Sequence, residues 1–433
     1  MSSATLKPSA NISNVEVEKI CRQAQQAAYH LAVSQPEQLN RVLERLVDSI
    51  ESHADEIVEC NNQDVITARA NGQNAAFIDR LTLNHARIKA MSQGVREIAA
   101  LSSRTGAVLE ERTLENGLLL KKVAVPLGVI GIIYESRPNV TIDAAALCLK
   151  SNNAVVLKGG SESIHSNRFL VGLIQTALQA AGLPEGAVGF VDSTERSATL
   201  HLLKQSQFVD VLIPRGGYEL VRAVVENSNI PVLYHAEGGA RIYVDASADL
   251  AMAQDIIFNS KTNRPSTCNT LDTLVLHRAI AAELLQKLTP QMLAAGVRLR
   301  ADAAALALAG PILAGVLERA DDSDWSTEYL DLVLGVKVVA TADEALDFIR
   351  QYSKRHTEGL IASDEAVIQR FIIGIDAAAL MINCSTRLHD GGIFGLGAEM
   401  GISTGKLHAR GPVGLDELST YKWIAQGDGQ IRK

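Results

Sequence analysis

The chain has 433 residues, of which 47% are hydrophobic and 21% charged, with a formal net charge of -8. That length exceeds what one hydrophobic core usually serves, so more than one domain is expected. No long basic tract offsets the acidic balance, which leaves nucleic-acid binding without electrostatic support, and no apolar run is long enough to span a membrane.

The polar start, MSSATLKPSANIS, lacks an apolar signal core. Residues from about Asn14 to Ala75 read as helices. Between Gln38 and Cys60, for example, Leu39, Val42, Leu43, Leu46, Ile50 and Ile57 recur at helical spacing. A hairpin follows, with Val108 to Leu114 and Leu118 to Val125 joined through Glu115-Asn116-Gly117, and Asn-Gly is a strong hairpin signal. Strands then alternate with helices. GVIGIIYE (128–135), NAVVLKGG (153–160), GAVGFVD (186–192), DVLIPRGG (210–217) and IPVLYH (230–235) read as strands. Asn139 to Leu149, Ser166 to Ala181 and Tyr218 to Asn227 read as helices. A second set has a helix near Leu250 to Thr262 and strands near Thr270 to His277, Val336 to Ala340 and Ala377 to Asn383. This rhythm predicts mostly parallel sheets covered on both faces.

Ligands of parallel sheets bind beyond the carboxyl ends of the strands. Two such ends carry glycines, Lys158-Gly159-Gly160 and Arg215-Gly216-Gly217, and each opens a helix whose N–H groups favour phosphate. The GxGxxG fingerprint is absent, so a nucleotide would be held in another way. A tight turn with no ligand is the competing reading.

Cys21, Cys60, Cys148, Cys268 and Cys384 are an odd, scattered set, with no CxxC pair or Cys/His cluster. They predict free thiols in a reducing, cytoplasmic compartment and no metal site. Cys268 differs from the others: NSKTNRPSTCNT (259–270) puts it at a polar turn between a helix and a strand, whereas Cys148 lies in apolar AALCL.

The segment around Cys268 resembles the nucleophile turn of the aldehyde dehydrogenase superfamily. From about Glu16 onward the chain is similar to one of its branches, the gamma-glutamyl phosphate reductases. The resemblance rests on VPLGVIGIIYESRPNVT (125–141), LIPRGG (212–217), NRPSTCNT (263–270), FGLGAE (394–399), KLHARGPVGL (406–415) and TYKWI (420–424). It implies an aldehyde-dehydrogenase-like α/β fold: two open parallel-sheet domains and a small β oligomerisation flap. The implied NADP-binding domain is 1–106 with 126–242, the catalytic domain 243–410, and the flap 107–125 with 411–433.

The implied activity is NADPH-dependent reduction of L-glutamyl 5-phosphate to L-glutamate 5-semialdehyde, in proline biosynthesis. Cys268 would attack the acyl carbon and expel phosphate, leaving a thioester, and thiolate nucleophilicity makes that step sound in itself. The oxyanion needs donors. One is the Cys268 N–H, and Asn139 is the candidate for the second, although an ungapped match lands on Glu135 and Asn139 also suits a helix N-cap. Lys158 matches the superfamily's adenosine-ribose lysine. Ser161 stands where NAD-preferring relatives often carry a glutamate, which favours NADPH/NADP+. Gly160, Gly216 and Gly217 complete the strand ends, and Glu328 matches a nicotinamide-ribose glutamate. Arg137, Arg215 and Arg410 are candidate anion holders, as is Arg387, and each has a structural ion pair as its alternative. His235, His389 and His408 receive no role.

Two departures stand out. Hydrolytic relatives carry a glutamate two residues before a Gly-Gly pair, and here Gly238-Gly239 is preceded at that position by Ala236. Within the reductases a Cys-His pair is expected before IYVD (242–245), where this chain has Ala240-Arg241. A hydrolytic aldehyde dehydrogenase and a catalytically silent structural relative are the alternative readings. Expected partners are the small-molecule substrate and copies of the chain in a homodimer or larger even oligomer, with glutamate 5-kinase as a candidate.

Overall fold

The computed structural model describes residues 13–234, 237–313 and 315–432. The amino-terminal part is a layer of helices, Asn14–Leu31, Pro36–Ser52, Ala54–Ala70, Ala75–Leu81 and His85–Ala100. The periodic stretch expected as one helix from Gln38 to Cys60 is two, broken at His53, whose backbone leaves helical geometry at φ -111° and ψ 27°. Val17, Leu31, Leu43, Leu46 and Ile50 of this layer are fully buried against the first sheet.

That sheet is parallel, in the order Val188–Phe190, Ala154–Gly159, Val129–Tyr134, Val211–Arg215. Every residue of Val129–Tyr134 and Ala154–Gly159 is buried, the signature of strands covered on both faces. The described part of the strand expected at 230–235, residues 230–234, does not form one. Among the described residues this segment contributes one isolated bridge, Val232 to Leu212.

The second sheet is also parallel. Its order is Glu318–Arg319, Arg298–Ala301, Val333–Val339, Leu271–His277, Ala240–Val244, Thr357–Ile361, Ala379–Ile382. A boundary at 242 would cut its Ala240–Val244 strand, so the two sheets part between Arg215 and Ala240. A boundary at 410 also divides one packed unit: Met400, Ala409, Val413, Leu415 and Leu418 join the core of the first sheet. The chain therefore returns to the first layer before it forms its last strand.

The third sheet is antiparallel, Val108–Thr113, Leu119–Pro126 and Ser419–Gln426. Gly117, at φ 84°, supplies the turn that the Asn116-Gly117 pair predicts. Among the described residues no helix is long and apolar enough to cross a membrane.

Candidate active site

The two parallel sheets meet the site with opposite ends. The first presents its carboxyl ends, at Glu135, Gly160 and Gly216. The second presents its amino ends: Cys268 precedes Leu271–His277, Gly238-Gly239 precedes Ala240–Val244, and Glu328 precedes Val333–Val339. The carboxyl-end rule therefore locates the glycine turns and misses the nucleophile turn.

The Cys268 turn is built by its neighbours. The Leu250–Thr262 helix starts at Asp249, whose carboxylate accepts the N–H groups of Ala251 and Met252 at 2.9 Å. Past its end, Arg264 takes a left-handed φ of 56° and reverses the chain. The Thr267 and Thr270 hydroxyls close on the Arg264 carbonyl at 2.9 and 3.0 Å. Asn269 donates to the His389 carbonyl at 3.0 Å, and the Cys268 carbonyl accepts the Gly239 N–H at 2.6 Å. The turn is thus held from three sides.

Gly238 is the wall behind the cysteine. A Cβ there would stand 2.5 Å from the Cys268 Cβ and 2.5 Å from Glu328 Oε1. Burial pushes the Cys268 thiol up to about 11; Arg215 pulls it down, and Glu328 and Glu399 push it up further. The resting group is the neutral thiol. Glu328, which accepts the Gly238 N–H, is itself pushed up to about 7, chiefly by burial. Burial likewise raises Asp272 to about 6, with Lys261 Nζ 3.6 Å away.

At the end of Ala154–Gly159, Lys158 is buried, donates to the Gly159 carbonyl at 2.8 Å, and has its pKa pushed down by desolvation. A Cβ at Gly160 would lie 2.6 Å from Glu162 Oε2 and 3.4 Å from the Ser136 N, so only glycine leaves this cradle open. Ser161 is exposed on the turn Ser161–Ser163. The neighbouring Glu162 carboxylate faces Lys158, a charge that the comparison at position 161 alone overlooks. At the other glycine turn the expectation of a free phosphate cradle is corrected. The Gly217 N–H donates to Glu135 Oε2 at 2.8 Å, and the Glu135 carboxyl carbon sits 2.6 Å from where a Gly216 Cβ would be. The Tyr218–Asn227 helix therefore meets a carboxylate at its start.

Asn139 is the first residue of the Asn139–Lys150 helix, with Pro138 at the cap position, so it is no N-cap; its amide donates to Asp143 Oδ2 at 2.9 Å. Arg137 and Arg215 converge with it. Arg137 is held below its ordinary pKa by desolvation and by the charges of Arg215 and Arg80, and it interacts with Cys268. Arg387 also acts on the cysteine while its Nε donates to the Asn263 carbonyl at 2.7 Å. Arg410 stands apart: its Nη1 is 2.6 Å from Asp376, which also holds Lys406 at 2.6 Å. For Arg410 the structural ion pair is the reading the geometry favours.

His389 is buried, contacts Thr357 Oγ1 at 2.8 Å and is pushed down to about 4 by burial, so it is neutral at pH 7. His408 contacts the Glu417 carbonyl at 2.8 Å. His235 and Ala236 lie outside the described residues. Glu237 is ion-paired with Lys354. Sequence reasoning weighed Glu135 only as a misfit for the oxyanion donor and passed over Asp143 and Glu399. Glu399 lies inside the quoted FGLGAE motif and Asp143 stands four residues after Asn139, so both were within reach.

The comparisons with known proteins give the family. The model of the aldehyde dehydrogenase family matches residues 2–312. Gamma-glutamyl phosphate reductase from Caldanaerobacter subterraneus subsp. tengcongensis is 44% identical over 419 residues, 97% of this chain and 100% of that one. The Escherichia coli O1:K1 / APEC protein of the same name is 47% identical over 413 residues, 94% of this chain and 98% of that one. The chain belongs to the gamma-glutamyl phosphate reductases of the aldehyde dehydrogenase family. The crystal structure of the family's Thermotoga maritima member superposes with a TM-score of 0.94 at 39% identity, covering 98% of this chain and 100% of that one. The aldehyde dehydrogenase family typically uses NAD or NADP.

The Ala240-Arg241 departure has a local explanation. Arg241 is 2% exposed and pairs with the fully buried Glu358 at 3.3 Å, while its Nη2 donates to the Trp325 carbonyl at 3.3 Å. Arg241 thus meets a buried acid on the adjacent strand.

Proposed function

We propose that the protein reduces L-glutamyl 5-phosphate to L-glutamate 5-semialdehyde with NADPH, releasing phosphate, in proline biosynthesis. The observation that carries this reading is Cys268 on its braced turn, with Gly238 behind it and Arg137 and Arg215 nearby, in a chain of this family.

Cys268 Sγ attacks the acyl carbon, and phosphate leaves with the C–O bonding pair and takes up the thiol proton, giving a thioester. The Cys268 N–H, which already interacts with its own sulfur, is placed to donate to the oxyanion. Asn139 is the second donor once its amide leaves Asp143. Arg137 and Arg215 hold the anionic ends of the substrate, and Arg410 is at most an outer contact because Asp376 occupies it. NADPH supplies the hydride when bound. Lys158, Gly160 and Ser161 would hold its adenosine side and Glu328 the nicotinamide ribose, while Gly216 and Gly217 would meet its phosphates only once Glu135 releases the Gly217 N–H. The buried Lys158 ammonium and the open Gly160 cradle suit such a group, whereas Glu135 and Glu162 work against added negative charge. Collapse of the reduced adduct returns the thiolate and frees the aldehyde.

The exposed antiparallel sheet supports assembly as a homodimer or larger even oligomer. A labile acyl phosphate requires a nearby kinase as its source, which is the ground for naming glutamate 5-kinase as a partner. Five free cysteines suit the cytoplasm.

The test runs the reaction in reverse, with glutamate 5-semialdehyde, NADP+ and phosphate. Phosphate-dependent NADPH formation that disappears in Cys268→Ser is the expected result. Rapid oxidation to free glutamate without phosphate would favour a hydrolytic dehydrogenase instead.

A further inference from the structure

Between the Asn139–Lys150 helix and the Glu399-Met400 segment lies a cavity of ≈ 90 Å³. Its lining includes Arg137, Asn139, Asp143, Arg215 and Glu399. At about 30 Å³ per liquid water it holds roughly three waters, the space of a carboxylate beside an ammonium. Arg137, Asn139 and Asp143 also line a wider cleft of ≈ 390 Å³. That cleft gives an approach separate from the glycine turns at Gly160 and Gly216.

The cavity holds both signs of charge. Each of its carboxylates is half engaged. Asp143 Oδ2 accepts the Asn139 amide at 2.9 Å, and Glu399 Oε2 accepts the Gly391 N–H at 2.9 Å. Among the described residues, neither Asp143 Oδ1 nor Glu399 Oε1 has a hydrogen bond. Both groups are desolvated, with Arg215 as a shared counter-charge. Arg215 and Glu399 both act on the Cys268 thiol, so the cavity lies within electrostatic reach of the nucleophile. Three C–C bonds separate the α-carbon of a glutamyl group from its reacting carbonyl, roughly 4 Å when extended. The cavity shares Arg215 and Glu399 with the surroundings of Cys268, which makes it the candidate for the head of a glutamyl group whose acyl carbon is at the nucleophile.

We propose that Asp143 and Glu399 form the subsite for the substrate's α-ammonium, beside Arg137 and Arg215 for its α-carboxylate, and so select an α-amino acid over a plain dicarboxylate semialdehyde. This rests on the reductase reading above. A substrate lacking the ammonium leaves the free oxygens of two desolvated carboxylates without a hydrogen-bond donor, with Arg215 as their shared counter-charge, and a site built for a polar group rejects an analogue lacking it.

The experiment compares glutamate 5-semialdehyde with 5-oxopentanoate, its deamino analogue, as substrates with NADP+ and phosphate. Asp143→Asn and Glu399→Gln should each lower kcat/KM for the amino substrate roughly 10- to 100-fold, mainly through KM. The analogue also feels any change at Cys268 or Asn139, so the test is that each variant loses clearly more on the amino substrate than on the analogue. Asp143→Glu, which keeps the charge, should recover part of the discrimination. If Asp143→Asn does not fold, Glu399→Gln read on both substrates decides. Equal losses on the two substrates, or no loss on either, would overturn the subsite while leaving the reductase reading intact. Wild-type protein that oxidises neither aldehyde in a phosphate-dependent way would overturn both.

Discussion

Glu328 and Cys268 face each other across Gly238. A carbon placed on that glycine would approach Glu328 Oε1 and the Cys268 Cβ at 2.5 Å each, so the two atoms are at most twice that distance apart. The like-charge coupling makes a testable difference. Glu328, held at about 7, is neutral below that pH and anionic above it. Its anion opposes thiolate formation. Glu328→Gln should therefore lower the Cys268 pKa by on the order of one unit, roughly tenfold in thiolate. Alkylation of the Cys268 peptide by iodoacetamide, followed by mass spectrometry, reads this directly. Variant and wild type should react alike at about pH 5.5 and diverge as the pH rises through 7. Rates that coincide at every pH would remove Glu328 from the cysteine's environment.

The Glu135 carboxylate at the start of the Tyr218–Asn227 helix sits where the phosphates of a dinucleotide are expected. Glutamine keeps an oxygen for the Gly217 N–H and removes the charge. Glu135→Gln should tighten NADPH binding, on the order of two- to tenfold, by removing a repulsion in partly screened surroundings. Fluorescence titration of the cofactor measures it. Weaker binding in the variant would mean that the carboxylate organises the turn and that its charge does not matter.

The parts of the fold visible in the sequence are those carried by local pattern. Runs such as VIGIIY and AVVLKG, buried at every residue, announce covered parallel strands. The Asn116-Gly117 turn fixes its hairpin. The strands Ala240–Val244, Arg298–Ala301 and Thr357–Ile361 were harder to see. Arg241 and Glu358 interrupt two of them with charges that only pairing across the sheet explains. The site shows the same division. Cys268, Lys158 and the glycine turns lie in compact motifs. Glu135 and Asp143 lie in the stretch that runs from one strand into the next helix and Glu399 lies in a quoted motif, but their partners, Gly217 for Glu135 and Arg215 for Asp143 and Glu399, come from another segment, and no local spacing reports that pairing.

The antiparallel sheet predicts its own behaviour. Ser419–Gln426 pairs along Leu119–Pro126 and forms one edge, with Tyr421, Trp423 and Ile424 exposed at 49%, 47% and 40%. Lys122 covers the Tyr421 ring at 3.8 Å, and Arg112 lies 5.9 Å from the centre of the Trp423 ring, yet all three side chains stay substantially exposed. An edge of this kind invites a second chain. Truncation after Ser419 should shift the sedimenting species toward monomer while the affinity for NADPH stays near that of the full chain. Full-length protein that already sediments as a monomer at micromolar concentration would refute the role.

Arg241 and Glu358 give a prediction about stability and pH. Glu358 is fully buried and is raised to about 7, with burial raising it and Arg241 opposing the rise. A carboxylate whose folded pKa lies above its unfolded value binds more protons in the folded state. Stability therefore falls as the pH climbs from the ordinary glutamate range to about 7, and the loss is complete above that. Removing Arg241 pushes the folded value higher still and widens this window upward. Arg241→Met keeps most of the side-chain volume and leaves Glu358 uncompensated, which should cost about 3–5 kcal/mol at neutral pH. The gap in melting temperature between variant and wild type should grow from about pH 5 to about pH 8, because an acid that is already protonated has little need of the arginine. Adding Glu358→Gln to Arg241→Met should recover much of the loss and flatten the pH dependence. A gap of constant size at every pH would assign the cost to lost packing and to the Trp325 carbonyl, and the ion pair would then contribute nothing measurable to stability.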